Sequence, residues 1–296
     1  VILTDTLFPN ITGARRPRDP DIISLKTNTC KLLIEYIHII QQDKRTYNLS
    51  YEQLQDIIFK SKKAEKEKLK SQKEMVARLK DIKNSIGELI ADIRPDVLIN
   101  IGDTWDLASL STYDKGKRSF QGRNYKDDVH AGLDFHERMF APIKKAKRKL
   151  PYSVFFVGNH EHRITRAIDL SPELDGAISL KDLQLREWYD EVVDYSGNTP
   201  GAKTIDGVTY AHYFVGGIAG RPLGGIHAGY AIATKKFSSA TCGHSHLFDT
   251  SWHVDLQGNP VIGTVVGCYQ DYSNDWAGEV ANLWNRGVVV KRNVDG

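Results

Sequence analysis

The 296 residues suffice for one large α/β domain, or a domain with an insertion, and can bury a substantial core. A net charge of +3 permits a phosphate-bearing substrate without implying a nucleic-acid coat. Three scattered cysteines, Cys30, Cys242 and Cys268, argue against a disulfide framework or a CxxC zinc site, and no apolar stretch approaches a membrane span. The opening Val1-Ile2-Leu3-Thr4 is too short and uncharged for a signal peptide, so the expected location is the cytosol, with residues upstream of Val1 left open.

In chain order, residues 1–4 read as a short strand delivering Asp5, and Phe8-Pro9-Asn10 turns into a basic loop. A helical pattern follows, with Leu25, Leu32, Leu33, Tyr36, Ile37 and Ile40 on one face. Ser50 and Gln53 form a capping-box signature, while Met75, Leu79, Ile82, Ile86, Leu89 and Ile93 recur at alternating spacings of four and three. That pattern is a seam for a partner helix. Between them residues 60–68 are almost wholly charged. The stretch 47–93 is therefore expected to be a helical hairpin or arm inserted into the domain. Its seam either packs on its own domain or supports self-association.

Residues 97–101 read as a buried strand delivering Gly102-Asp103-Thr104-Trp105-Asp106. In the long loop that follows, Tyr113, Lys117, Arg118, Phe120, Arg123 and Tyr125 interleave aromatic and basic side chains, a composition suited to a phosphate or base contact or to a packed surface excursion. A helix from about Asp127 ends in a basic run at 144–149. Residues 152–157 form the next apolar strand, ending in Gly158-Asn159-His160-Glu161, and residues 164–198 read as mostly helical. The strand at 208–211 delivers His212, a Gly-rich stretch carries Arg221 and His227, and a helix leads to Gly243-His244-Ser245-His246. Short strands around Gln257-Gly258-Asn259-Pro260 close the chain.

The strand ends thus carry Asp5, Asp103 with Asp106, Asn159 with His160, His212, and His244 with His246. Carboxylates, imidazoles and one amide oxygen, without thiolates, suit two borderline divalent cations, with manganese, iron, zinc or magnesium open. In such a site one aspartate bridges the metals, and a metal-held hydroxide attacks phosphorus in line with its leaving group.

In order, Gly102-Asp103-x-x-Asp106, Gly158-Asn159-His160-Glu161, His212 and Gly243-His244-x-His246 resemble the motifs of the calcineurin-like metallophosphoesterases, over nearly the whole chain outside the arm. The resemblance implies an αββα four-layer sandwich of two mixed β-sheets flanked by helices, spanning 1–296 with the arm at 47–93. It also implies two metal ions, manganese foremost. Asp103 would bridge them, with Asn159, His212 and His244 on one and Asp5 and His246 on the other. His160 would stand off the metals as phosphate contact and proton donor, oriented by Asp106.

Two positions depart from the pattern. The family's first motif is Asp-x-His, whereas Asp5-Thr6 is followed by Leu7, which cannot bind a metal and weakens the second site. Leu107 stands where the protein phosphatases of the family carry a phosphate-gripping arginine; Arg163, Arg221, Arg118 and Arg123 are the unranked substitutes. The expected activity is metal-dependent hydrolysis of a phosphodiester, nucleic acid among the candidates, most like the stand-alone enzymes of bacteriophage and bacteria. The alternatives are a phosphomonoesterase or protein phosphatase, and a metal-impaired module that binds nucleic acid or protein.

Overall fold

The computed structural model describes residues 2–3, 82–147, 149–270, 275–292 and 294. Asp5, Leu7, Cys30 and the arm before residue 82, with Met75 and Leu79 of its seam, lie outside the described residues.

Two sheets organise the chain. In the first, β1 (Ile2–Leu3), β2 (Val97–Asn100), β3 (Tyr152–Phe156) and β4 (Glu191–Val193) run parallel in that order. The second has five strands: β10 (Phe248–Val254), β11 (Pro260–Val266), β9 (Ala240–Cys242), β6 (Val208–Ala211) and β5 (Ala202–Ile205). Its inner pairs β11–β9 and β9–β6 are parallel, and the outer pairs are antiparallel. A small hairpin joins β7 (Val215–Gly216) to β8 (Arg221–Pro222).

The alternation of side chains along a strand decides what each face meets. Leu98 and Phe155 point into a core shared with Ile86 and Ile90 of α1 (Ile82–Ile93) and Met139 and Ile143 of α2 (Tyr125–Lys145). Their neighbours Ile99, Val154 and Phe156 point the other way and pack with Val208, Tyr210 and Val266 of the second sheet. The far face of that sheet, through Ala211, Ala240, Cys242 and Val265, receives Ala228 and Ile232 of α5 (Ala228–Lys236). Each large side chain so buried contributes about 1.5–3 kcal/mol. Of the seam, Ile86, Leu89 and Ile93 are thus packed within the domain. Gly87 makes the approach of α1 to α2 close, since a Cβ there would lie 2.2 Å from the Met139 carbonyl oxygen.

Two elements differ from the sequence expectation. Residues 164–198 are not mostly helical: α3 (Arg163–Leu170) gives way to short 3-10 turns and α4 (Leu185–Trp188), and β4 closes the first sheet. Three residues of strand are too few for alternation to stand out from helical spacing. The hairpin β5–β6 was also not anticipated, although Asp206-Gly207, both at positive φ, supplies the two left-handed residues its tight turn requires.

Beneath the first sheet His136 is fully buried. Its Nδ1 lies 2.7 Å from the Gly132 carbonyl, which can only accept, so Nδ1 carries the proton and Nε2 accepts from the Tyr189 hydroxyl at 3.0 Å. Tyr189 in turn receives the Asn100 amide at 2.8 Å, and Asn100 Oδ1 accepts from the Gly102 amide at 3.0 Å, tying the core to the loop that bears Asp103. Burial pushes the His136 pKa down from 6.5 to about 4. A depressed pKa means full stability above 6.5, lost as pH falls toward 4, at about 1.4 kcal/mol per pH unit and about 3 kcal/mol in all. Urea unfolding in EDTA from pH 7 to 4.5 should show that slope reduced by about one proton in His136→Gln; equal slopes would assign the acid loss to other groups.

No helix among the described residues is long and apolar enough to cross a membrane.

Candidate metal centre

The ends of β2, β3, β6 and β9 converge on one point. Asp103, His212 and His244 each offer a ligand atom within 4.8 Å of the others. Asn159 Oδ1 joins them, 2.9 Å from His212 Nε2 and 2.7 Å from His244 Nδ1, and Asp103 Oδ2 lies 3.3 Å from His212 Nε2. Asp103 is turned by its other oxygen, Oδ1, which accepts from the His160 amide at 2.9 Å.

The His212 ring sits among acceptors: its Nδ1 lies 2.8 Å from the Ile101 carbonyl, so Nδ1 carries a proton, and its Nε2 faces the Asn159 amide oxygen and the Asp103 carboxylate. Oxygens gathered on one wholly buried ring nitrogen call for positive charge there, either a proton on Nε2 or a cation between the groups with Nε2 as its ligand. Burial drives the His244 imidazole down to about 3 and His246 down to about 4. Both are therefore neutral at physiological pH, the form that binds a metal. Burial works against charge on Asp103 as well, but His212 and His160 hold the carboxylate far below its ordinary range.

The backbone of the site is strained. Asp103, Leu107, His244 and His246 adopt positive φ of 52, 46, 70 and 59°. Non-glycine residues persist there only where the surroundings fix them. At Asp103 part of that fixing comes from Glu161, a residue with no role discernible in the sequence. Its wholly buried carboxylate accepts the amides of Asp103 (2.9 Å), Gly158 (2.9 Å) and Trp105 (3.0 Å). Burial, together with the Asp103 charge, raises its pKa against the pull of those amides. Gly158 must be glycine, because a Cβ would lie 2.2 Å from Asp103 Oδ1. No spacing rule marks a side chain that binds backbone amides 56 to 58 residues away.

His160 stands beside the cluster. Its Nδ1 donates to the Asp106 carbonyl (2.9 Å) and carboxylate (3.1 Å), and its Nε2 lies 3.8 Å from Asp103 Oδ2. Burial opposes charge on the ring, but Asp103 and Asp106 outweigh both burial and Arg163, and the pKa is raised. Of the four arginines, Arg163 alone touches the site, donating to the Asp106 carbonyl at 2.7 Å with its Nη2 3.3 Å from His160 Nε2. Arg123 instead braces the following loop through Asp114 (2.8 Å) and the Ala108 carbonyl (3.0 Å). Arg118 and Arg221 are exposed, and Leu107 is buried in the core.

His246 is buried with its ring edge-on to Trp284, centroids 4.6 Å apart, near enough to Asp103 to sense its charge. It is not among the three residues whose ligand atoms cluster most tightly. Comparison of the chain with family models, with curated proteins and with solved structures yields no match.

Proposed function

We propose that the chain is a metal-dependent phosphoesterase of the calcineurin-like kind that hydrolyses a phosphodiester. The observation that carries this is the convergence of Asp103, Asn159, His212 and His244 from four strand ends on one buried point. The three apolar clusters, helices on a sheet, sheet on sheet, and sheet on a helix, support an αββα four-layer arrangement.

In this reading Asp103, Asn159, His212 and His244 would hold one divalent ion, manganese foremost, and Asp103, His246 and Asp5 would supply a second, weaker site, since Leu7 offers no ligand atom. Bound metal supplies phosphoryl charge neutralisation and an activated water at neutral pH. The protein's own groups do the rest. His160 Nε2 and Arg163 Nη2, 3.3 Å apart, are close enough to meet one phosphoryl oxygen together. Asp106 holds the His160 ring through Nδ1, leaving Nε2 to deliver a proton to the leaving oxygen. Leu107 fills the position of the phosphatase arginine with a core side chain, which disfavours a phosphoprotein substrate.

The experiment is hydrolysis of bis(p-nitrophenyl) phosphate and p-nitrophenyl phosphate with added Mn2+, alongside metal analysis. Faster turnover of the diester is expected, with at least one ion per chain and loss of both ion and activity in His212→Ala. No metal uptake would overturn the reading, and faster monoester turnover would overturn the diester assignment.

A further inference from the structure

The loop that leaves the site at Asp106 is anchored at several points along its length. Arg123 clamps it internally, bonding Asp114 and the Ala108 carbonyl, and Asp128 of α2 accepts the Ser109 amide at 2.8 Å. Two 3-10 turns, Ala108–Leu110 and Arg118–Phe120, take up the chain between these anchors. The Arg123 charge reaches back to Asp106 and helps keep that carboxylate ionised, so the base of the loop adjoins the His160 side of the site.

What this frame presents outward is distinctive. Tyr113 is 77% exposed, and Lys115, Lys117 and Arg118 are exposed within the next five residues. The one carboxylate in their midst, Asp114, is engaged at 2.8 Å by Arg123, while Lys117 stands 3.7 Å from it with 62% of its side chain exposed. Tyr113 leaves most of its ring in water, within five residues of three exposed cations. That is the combination that binds a single-stranded polynucleotide, with bases stacked on the ring and phosphates near the cations. A preformed loop also lowers the ordering cost of such binding.

We propose that the tip formed by Tyr113, Lys115, Lys117 and Arg118 is a docking surface for single-stranded nucleic acid. This rests on the phosphodiesterase reading for its purpose, but its test does not. Binding of fluorescein-labelled 20-nucleotide poly(dT) to the full chain in EDTA, where hydrolysis is silent, is followed by fluorescence anisotropy over a salt series. The double variant Lys115→Ala/Lys117→Ala should bind about tenfold more weakly and lower the salt slope by about 1.4. Tyr113→Ala should lose about tenfold with the slope retained, since stacking carries no counterion release. Melting temperatures equal to wild type establish that the variants fold. Wild-type-like affinity in both variants would overturn the proposal, as would tighter binding of a duplex of equal length, or binding of a phosphorylated peptide in preference to poly(dT). Failure to hydrolyse a diester with Mn2+ would instead overturn the phosphoesterase reading and leave the binding result standing.

Discussion

Glu161→Ala should destabilise the protein by about 4 kcal/mol and weaken metal binding, although Glu161 lies outside the ligand cluster. Three buried amides, those of Asp103, Trp105 and Gly158, share its two carboxylate oxygens and would lose their acceptor together. A buried donor left unsatisfied costs about 1–3 kcal/mol, and removing a buried carboxylate gives part of the sum back. The effect on metal follows from Asp103, whose left-handed backbone at φ 52° is held partly by that amide contact. Once released, it can relax and carry Oδ2 away from His212. Glu161→Gln keeps the shape but turns an NH2 group toward amide donors, so about half the loss is expected. Urea unfolding in EDTA reads the first effect, and Mn2+ titration of the folded variant reads the second. Wild-type stability in Glu161→Ala would refute the bracing role.

The contrast between Glu161 and its neighbours explains what was legible in the sequence. Asn159, His212 and His244 stand out as candidates because groups able to hold a metal are particular residue types at the ends of strands, and those strands are apolar runs bounded by glycine. Both requirements leave marks in one dimension. Glu161 works by contacts with backbone, which any residue supplies, so nothing in the partner sequence signals it. The same holds for the His136–Tyr189–Asn100 chain, a buried network assembled from α2, the segment after α4 and β2. The fold was legible in proportion to element length. The buried strands β2, β3 and β6 and the long helix α2 stand out, whereas β4 has three residues and was absorbed into an expected helix. Choosing among the arginines required coordinates, because only spatial proximity separates Arg163, on the site, from Arg123, inside a loop.

His160→Ala should lower turnover about 100- to 1000-fold for diesters with alkoxide leaving groups, and much less for p-nitrophenyl esters. The reason lies in the leaving oxygen: a nitrophenolate departs without a proton, whereas an alkoxide needs one delivered as the bond breaks. His160 is arranged for that delivery, with Nδ1 committed to Asp106 at 2.9 and 3.1 Å and Nε2 on the side of Asp103. Metal content should be unchanged, since the ring is not among the clustered ligand groups. A merely structural role would lower both substrate classes alike and would release metal, and either result would remove His160 as the acid. The pH profile gives an independent readout. A raised pKa keeps the acid form present below that pKa and loses it above, so turnover of the poor leaving group should fall on the alkaline side in the wild type and lack that limb in the variant. A cation held at Asp103 would screen that carboxylate, leaving Asp106 as the partner that retains the proton, so Asp106→Asn should shift the limb to lower pH without loss of metal.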